Sequence, residues 1–166
     1  MSSMSIVSRV NRIALVAGVL LLGCGSSSGG GDPAGPFAGT WTFNSGSMIE
    51  PMCSGATVPN QDLTGDMLTI TTVDTTHIKL SSTGGIDCNV NFTVSGSTAT
   101  VEPGQMCSTT ISGAVVSFAI TSWTIGLSGN MLTTALVGTA NVVIVTCTPT
   151  GSATLSRTGG TDASAG

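Results

Sequence analysis

Charge is what this sequence has least of. Four Lys and Arg, eight Asp and Glu and a single His are spread over 166 residues. No basic cluster is available to neutralise phosphates, which excludes a nucleic-acid surface and electrostatic attachment to anionic lipid heads. Aromatic rings are scarce as well: four Phe, two Trp and no Tyr. With His77 as the one imidazole, a Ser–His–acid triad has a single candidate base, and no Gly-x-Ser-x-Gly elbow accompanies it. The alternation of His77 with Ile78 and Leu80 places it on a solvent face beside Lys79. The carboxylates Asp62, Asp66, Asp74, Asp87 and Glu102 are scattered over turns and loops, whereas a glycosidase needs two of them facing one another in a cleft. The chain is therefore expected not to be an enzyme and to need no cofactor; a hydrolase with an unrecognised site is the remote alternative.

Thr, Ser, Gly and Val fill the places that charged residues leave. β-Branched side chains fit a pleated surface and lose rotamer freedom in a helix, so the folded part is expected to be all-β. Short turn phrases punctuate it: Ser45-Gly46-Ser47, Thr64-Gly65-Asp66, Ser95-Gly96-Ser97, Ser128-Gly129-Asn130 and Thr150-Gly151-Ser152. Gly beside Ser, Asp or Asn between alternating runs marks hairpins, whose tight turns require positive φ. Residues 38–44 put Gly39, Trp41 and Phe43 on one face; residues 87–94 do the same with Cys88, Val90, Phe92 and Val94. Between 116 and 127 the apolar phase changes from even (Val116, Phe118, Ile120) to odd (Trp123, Ile125, Leu127). A period of two can change face only by gaining a residue, so a β-bulge is expected near Thr121–Ser122. Residues 131–139, 141–148 and 152–157 complete about 8–10 strands. Strands in sequence order with short connections favour an antiparallel up-and-down meander closed into a barrel, which removes exposed edges; a two-sheet sandwich is the alternative.

The amino terminus has a different composition. Arg9 and Arg12 precede an uncharged apolar run over residues 13–22, then come Leu21-Leu22-Gly23-Cys24 and the tract Gly25-Ser26-Ser27-Ser28-Gly29-Gly30-Gly31. A positive n-region, a short h-region and a small residue before the cut are the parts of an export signal, and the run is shorter than the roughly 20 residues a membrane helix needs. These residues resemble the lipobox of bacterial lipoproteins. The resemblance implies cleavage after Gly23, three palmitate-type acyl chains on Cys24, and, because Gly25 rather than Asp follows, sorting to the outer membrane, facing either the periplasm or the surface. One chain anchors marginally and two or more anchor stably. The expected organisation is a signal peptide over 1–23, a lipidated Cys and flexible Gly/Ser tether over 24–36, one β domain over 37–158 and a disordered tail over 159–166. Removing Arg9 and Arg12 leaves Lys79 and Arg157 against eight acids, a net of 2 − 8 = −6.

Four further cysteines remain, and an even number in an exported chain reads as two disulfides. A hairpin at Gly96-Ser97 sets residues whose numbers sum to about 193 opposite each other. Cys88 then faces residue 105, close to Cys107, which favours Cys88–Cys107 and leaves Cys53–Cys147. The similar phrases Glu50-Pro51-Met52-Cys53 and Glu102-Pro103-Gly104-Gln105-Met106-Cys107 admit a soft-metal reading, since thioether and thiolate suit Cu(I). Oxidised Cys cannot ligate, and two equivalent stapled hairpins explain the phrases without a metal.

Gly39-Thr40-Trp41 on the opening strand and Arg157 on the last are similar to the calycin (lipocalin-like) signature. That resemblance implies that Arg157 closes the barrel base over Trp41. It further implies an internal cavity for a small apolar ligand, with Phe43, Phe92, Val94, Phe118, Ile120, Trp123 and Leu136 as inward candidates. Six rings are few enough to leave such an interior unfilled. The expectation is thus a membrane-anchored, non-catalytic β-barrel lipoprotein that binds a small apolar ligand or an envelope partner. A structural or surface-displayed interaction module without ligand is the alternative.

Overall fold

The alternating Thr/Val-rich runs become strands of one continuous sheet. The computed structural model describes residues 31–158 apart from 112 and 143–144. Residues 1–30, which include the expected export signal and Cys24, and residues 159–166, the expected tail, lie outside the described residues. After a 3₁₀ turn over Gly35–Phe37 come β1 (Gly39–Phe43), β2 (Met48–Cys53), β3 (Ala56–Thr57), β4 (Gln61–Asp62), β5 (Met67–Thr72) and β6 (His77–Thr83). The second half holds β7 (Ile86–Ser95), β8 (Thr98–Val101), β9 (Met106–Ile111), β10 (Ala114–Ser128), β11 (Met131–Val142) and β12 (Val145–Arg157).

All pairings are antiparallel, and β1 pairs with both β5 and β12, so the sheet closes on itself. Two ring positions are each shared by two strands in line. β12 carries β1 at one end and β2 at the other, and β10 carries β8 and then β9. The ring is therefore β1/β2, β5, β6, β7, β8/β9, β10, β11 and β12: an eight-position barrel, with β3 and β4 paired to β2 outside it. The closure rules out the sandwich.

The expected hairpins at Gly96 and Gly129 form, joining β7 to β8 and β10 to β11. The bulge falls between Ile120 and Ser122, as the change of phase requires. Three turn phrases act otherwise. Ser45-Gly46-Ser47 is a jog between two segments of one ring position, and Thr64-Gly65-Asp66 turns β4 into β5 without pairing them. Thr150-Gly151-Ser152 lies inside β12, where Gly151 pairs with both Leu136 and Ile49. There glycine answers crowding, since a Cβ on Gly151 would stand 3.3 Å from Ile49 Cγ1. The strands expected over 141–148 and 152–157 are consequently one, and the break expected at Ala140 falls after Val142.

The domain also begins earlier than residue 37. Ala34 and Phe37 are fully buried, the Ala34 N–H donates to the Thr75 carbonyl, and the Asp32 carboxylate accepts from the same N–H. Pro sits in the first turn of the 3₁₀ segment, where the missing N–H costs nothing. Residues 32–36, read from composition as tether, thus cap one end of the barrel. The turns after β5, β7 and β10 gather there: the Val94 N–H donates to the Thr76 carbonyl and the Arg157 N–H to that of Asn130. The last residues of β2, β6, β9 and β11 mark the opposite end.

The two halves share a repeat. Residues 39–58 and 97–116, offset by 58 (97 − 39), match at Thr40/Thr98, Thr42/Thr100, Gly46/Gly104, Met48/Met106, Ser54/Ser112, Gly55/Gly113, Ala56/Ala114 and Val58/Val116. Strand positions correspond as well: β1 with β8, and β2 with β9, each six residues beginning at Met. Gly46 and Gly104 have φ of 83° and 78°, Gly55 and Gly113 of 78° and 82°. Such values favour glycine, so the same jog and the same turn are encoded twice.

Candidate functional site

At the capped end, Trp41 is fully buried and donates its indole N–H to the Phe37 carbonyl at 2.9 Å. The Arg157 guanidinium stacks 4.3 Å from the indole centroid and donates to the Pro36 and Ala38 carbonyls. Planar stacking combined with forked donation is what arginine supplies and lysine does not. Gly39 makes room for it: its φ is 137°, and a Cβ there would lie 2.8 Å from Arg157 Nη1. Trp41 and Arg157 therefore close this end of the barrel.

Phe43, Phe92, Val94, Phe118, Ile120, Trp123 and Leu136 all point inward and are buried. They fill the barrel instead of lining one cavity. Phe92 and Trp123 pack edge to face, with centroids 5.4 Å apart at 73°. The crevices beside Phe43, Trp123 and Leu136 measure about 10 and 20 Å³, room for at most a single water. The central cavity expected from the scarcity of rings is absent among the described residues, because β-branched and Leu side chains occupy the space.

A largely apolar pocket of about 210 Å³ lies at the opposite end, and of the seven inward candidates only Phe118 borders it. More polar hollows of about 300 and 200 Å³ lie over Glu50 and Thr150 and over Asp87 and Ser108. Ile49, Pro51, Val116, Phe118, Ala140 and Pro149 form its apolar walls, with the Cys147 half of a disulfide behind them. Pro59, Asn60, Gln61, Thr109 and Thr110 form the remaining side. Proline shapes the site twice. Pro51 and Pro149 face each other across β2 and β12, and neither can donate to a ladder. The β11–β12 pairing is accordingly interrupted between Val137/Thr150 and Ala140/Cys147, opposite Gly138. A Cβ on Gly138 would come within 2.8 Å of the Phe118 ring and 3.2 Å of Pro149 Cγ, so glycine lets these two lie against the wall.

On the polar side the Gln61 amide spans three elements. Its Nε2 donates to the Gly85 carbonyl, and Thr109 Oγ1 stands 2.7 Å from both Gln61 Oε1 and the Gly85 oxygen. The Asp66 carboxylate accepts the Gly85 N–H at 3.0 Å. A Cβ on Gly85 would meet Asp66 Oδ2 at 2.7 Å and Gln61 Nε2 at 2.8 Å. Among the described residues no charged side chain lines the pocket. Sequence reading missed most of this wall, although prolines inside two strand patterns were the available signal.

The disulfides join Cys88 to Cys107, the pair that the hairpin count favours, and Cys53 to Cys147, the pair that it leaves. Each links direct register partners near the open end. The two-residue discrepancy at Cys88 arises from the jog at 102–105, which moves the β7 register from a sum of 193 to 195. β9 ends the arm that returns along β7, after the jog, whereas β2 continues the ring position of β1 and pairs with β12.

His77 stands at the capped end, away from the pocket. Its Nδ1 is 2.8 Å from the Asp74 carboxylate, and its Nε2 is 4.0 Å from Glu102. The Thr76 backbone N–H, and then His77, hold the Asp74 carboxyl down at about 2. Hydrogen bonds from the Thr64 side chain and backbone lower Asp62. The Thr76 hydroxyl lies 3.1 Å from His77 Nδ1.

The outer face is rich in hydroxyls, with Thr69, Thr93, Ser117, Thr124, Thr133 and Ser152 exposed. An apolar interior under a hydroxyl-bearing exterior is the reverse of a lipid-spanning barrel. No protein-family model matches the chain, and no curated protein matches its sequence. Among solved structures it is similar to a putative outer membrane protein from Bacteroides fragilis NCTC 9343. The two are 11% identical with a TM-score of 0.42, over 76% of this chain and 53% of that one. The chain thus spans about half the length of that protein.

Proposed function

We propose that this is a lipid-anchored envelope protein whose barrel is a non-catalytic binding domain for a small apolar molecule, held in the pocket at the open end. One observation carries the reading: the apolar-walled pocket opens at the end opposite to where the chain enters the fold. Cys24 lies eight residues before Asp32 (32 − 24), a reach of at most about 28 Å. An anchor at Cys24 therefore holds the capped end toward the lipid and turns the mouth away from it. The absence of any titratable side chain on the pocket wall favours binding over acid–base chemistry.

Two measurements test this. Replacing Cys24 with Ser moves the protein from the membrane to the soluble fraction; retention in the membrane contradicts the anchor. Organic extraction of protein purified from its own membranes yields a small neutral compound in stoichiometric amount. A second reading, a ligand-free surface module, is favoured by the filled middle of the barrel, and an empty extract would decide for it.

A further inference from the structure

The pocket sits where the internal repeat breaks down. In the second half, β10 runs unbroken through Val116, Ser117 and Phe118, and the Phe118 ring fills its side of the barrel. At the same offset of 58 the first half has Val58, Pro59 and Asn60. Pro59 cannot continue the ladder, the pairing with β2 is interrupted between β3 and β4, and Asn60 stands at the position where the repeat would supply an aromatic ring. Both Asn60 and Phe118 border the resulting space. The next residue, Gln61, replaces the Ala119 of the repeat and brings an amide to the edge of an otherwise apolar hollow.

That amide is held in one orientation. The Gly85 carbonyl can only accept, so the NH₂ faces it, and the amide oxygen faces the Thr109 hydroxyl. A carboxamide has two N–H donors and two lone pairs; one of each remains for a ligand. The wall carries no charge of either sign, and a buried unpaired ion is strongly disfavoured. A volume of about 210 Å³ is below the roughly 300–1,000 Å³ of drug-sized sites, yet above the ~150 Å³ that accommodates benzene. Building on the binding function proposed above, we infer that the pocket selects uncharged molecules of about one substituted ring that carry a hydroxyl or carbonyl. Gln61 is the residue that reads that polar group.

Titration calorimetry of the full chain with p-cresol, toluene and p-toluate tests the selection. p-Cresol binds about three- to ten-fold more tightly than toluene, as one hydrogen bond allows, and p-toluate does not bind. Gln61→Met keeps the length of the side chain and removes the amide; it abolishes the preference for p-cresol while toluene still binds. Thr109→Val removes the partner of the amide oxygen and weakens the preference without eliminating it. Ala140→Leu, which adds volume into the hollow, abolishes binding of both neutral probes. Binding of p-toluate comparable to that of p-cresol overturns the charge exclusion, and an undiminished preference in Gln61→Met overturns the role of Gln61. If none of the probes binds but membrane-isolated protein still carries an extractable compound, the ligand class is wrong and the binding function stands. An empty extract with no probe binding removes both.

Discussion

Several side chains here have identities dictated by one neighbour. Gly39 is required twice over, by its φ of 137° and by the guanidinium that occupies its missing side chain's place. Gly39→Ala is expected to cost about 1–3 kcal/mol and to release Arg157 from the Pro36 and Ala38 carbonyls. Equilibrium urea unfolding measures the cost, and an unchanged midpoint would mean that the closure of this end is not built as described. Asp74 offers a test by pH. Its carboxyl is held at about 2 by the Thr76 N–H and by His77, below its usual value. The stabilisation it gives the β5–β6 turn is therefore full above pH 4 and lost as pH falls through about 2. The difference in Tm between wild type and Asp74→Asn should close as pH drops from about 4 toward 2. A difference that persists at the lowest pH would assign the turn's stability elsewhere.

At the scale of strands and turns, the sequence disclosed period and lost partnership. Inward residues on β1, β7 and both phases of β10 were legible because alternation with a phase change admits one solution, a bulge at Ile120/Ser122. Glycine phrases were ambiguous for a physical reason. Gly96 and Gly129 have positive φ and make hairpins, Gly46 has positive φ and makes a jog, and Gly151 serves close approach inside a strand. One dipeptide pattern thus covers three backbone requirements that only the neighbouring strands distinguish. The pocket was hidden for a related reason. Its walls come from β2, β9, β10, β11 and β12 and from the segment at Pro59–Gln61, and no local window contains more than two of these. The disulfides were readable because register arithmetic is local: Cys88 and Cys107 are 19 residues apart across one hairpin and its jog. Closing a loop of that size is worth about 3 kcal/mol. Cys88→Ser is expected to lower unfolding free energy by that order and leave Cys107 open to alkylation in the folded state. An unreactive Cys107 would mean that it has another partner.

The whole molecule is a barrel with unlike ends. Residues 32–37 and the Trp41–Arg157 stack close the end where the chain enters, while two disulfides brace the rim of the other. A repeat of β1–β2 in β8–β9 supplies the frame, and the departure from it at Pro59-Asn60-Gln61 supplies the hollow. Function on this account resides in what breaks the internal symmetry. Its central claim is that the mouth pocket, and no other part of the surface, holds a small neutral molecule in the cell envelope. Native mass spectrometry of wild-type and Ala140→Leu protein, each isolated from its own membrane, tests it most directly. The account predicts one small-molecule adduct on the wild-type protein and none on the variant with the filled pocket. An adduct retained by Ala140→Leu, or a wild-type protein that carries nothing, would contradict it.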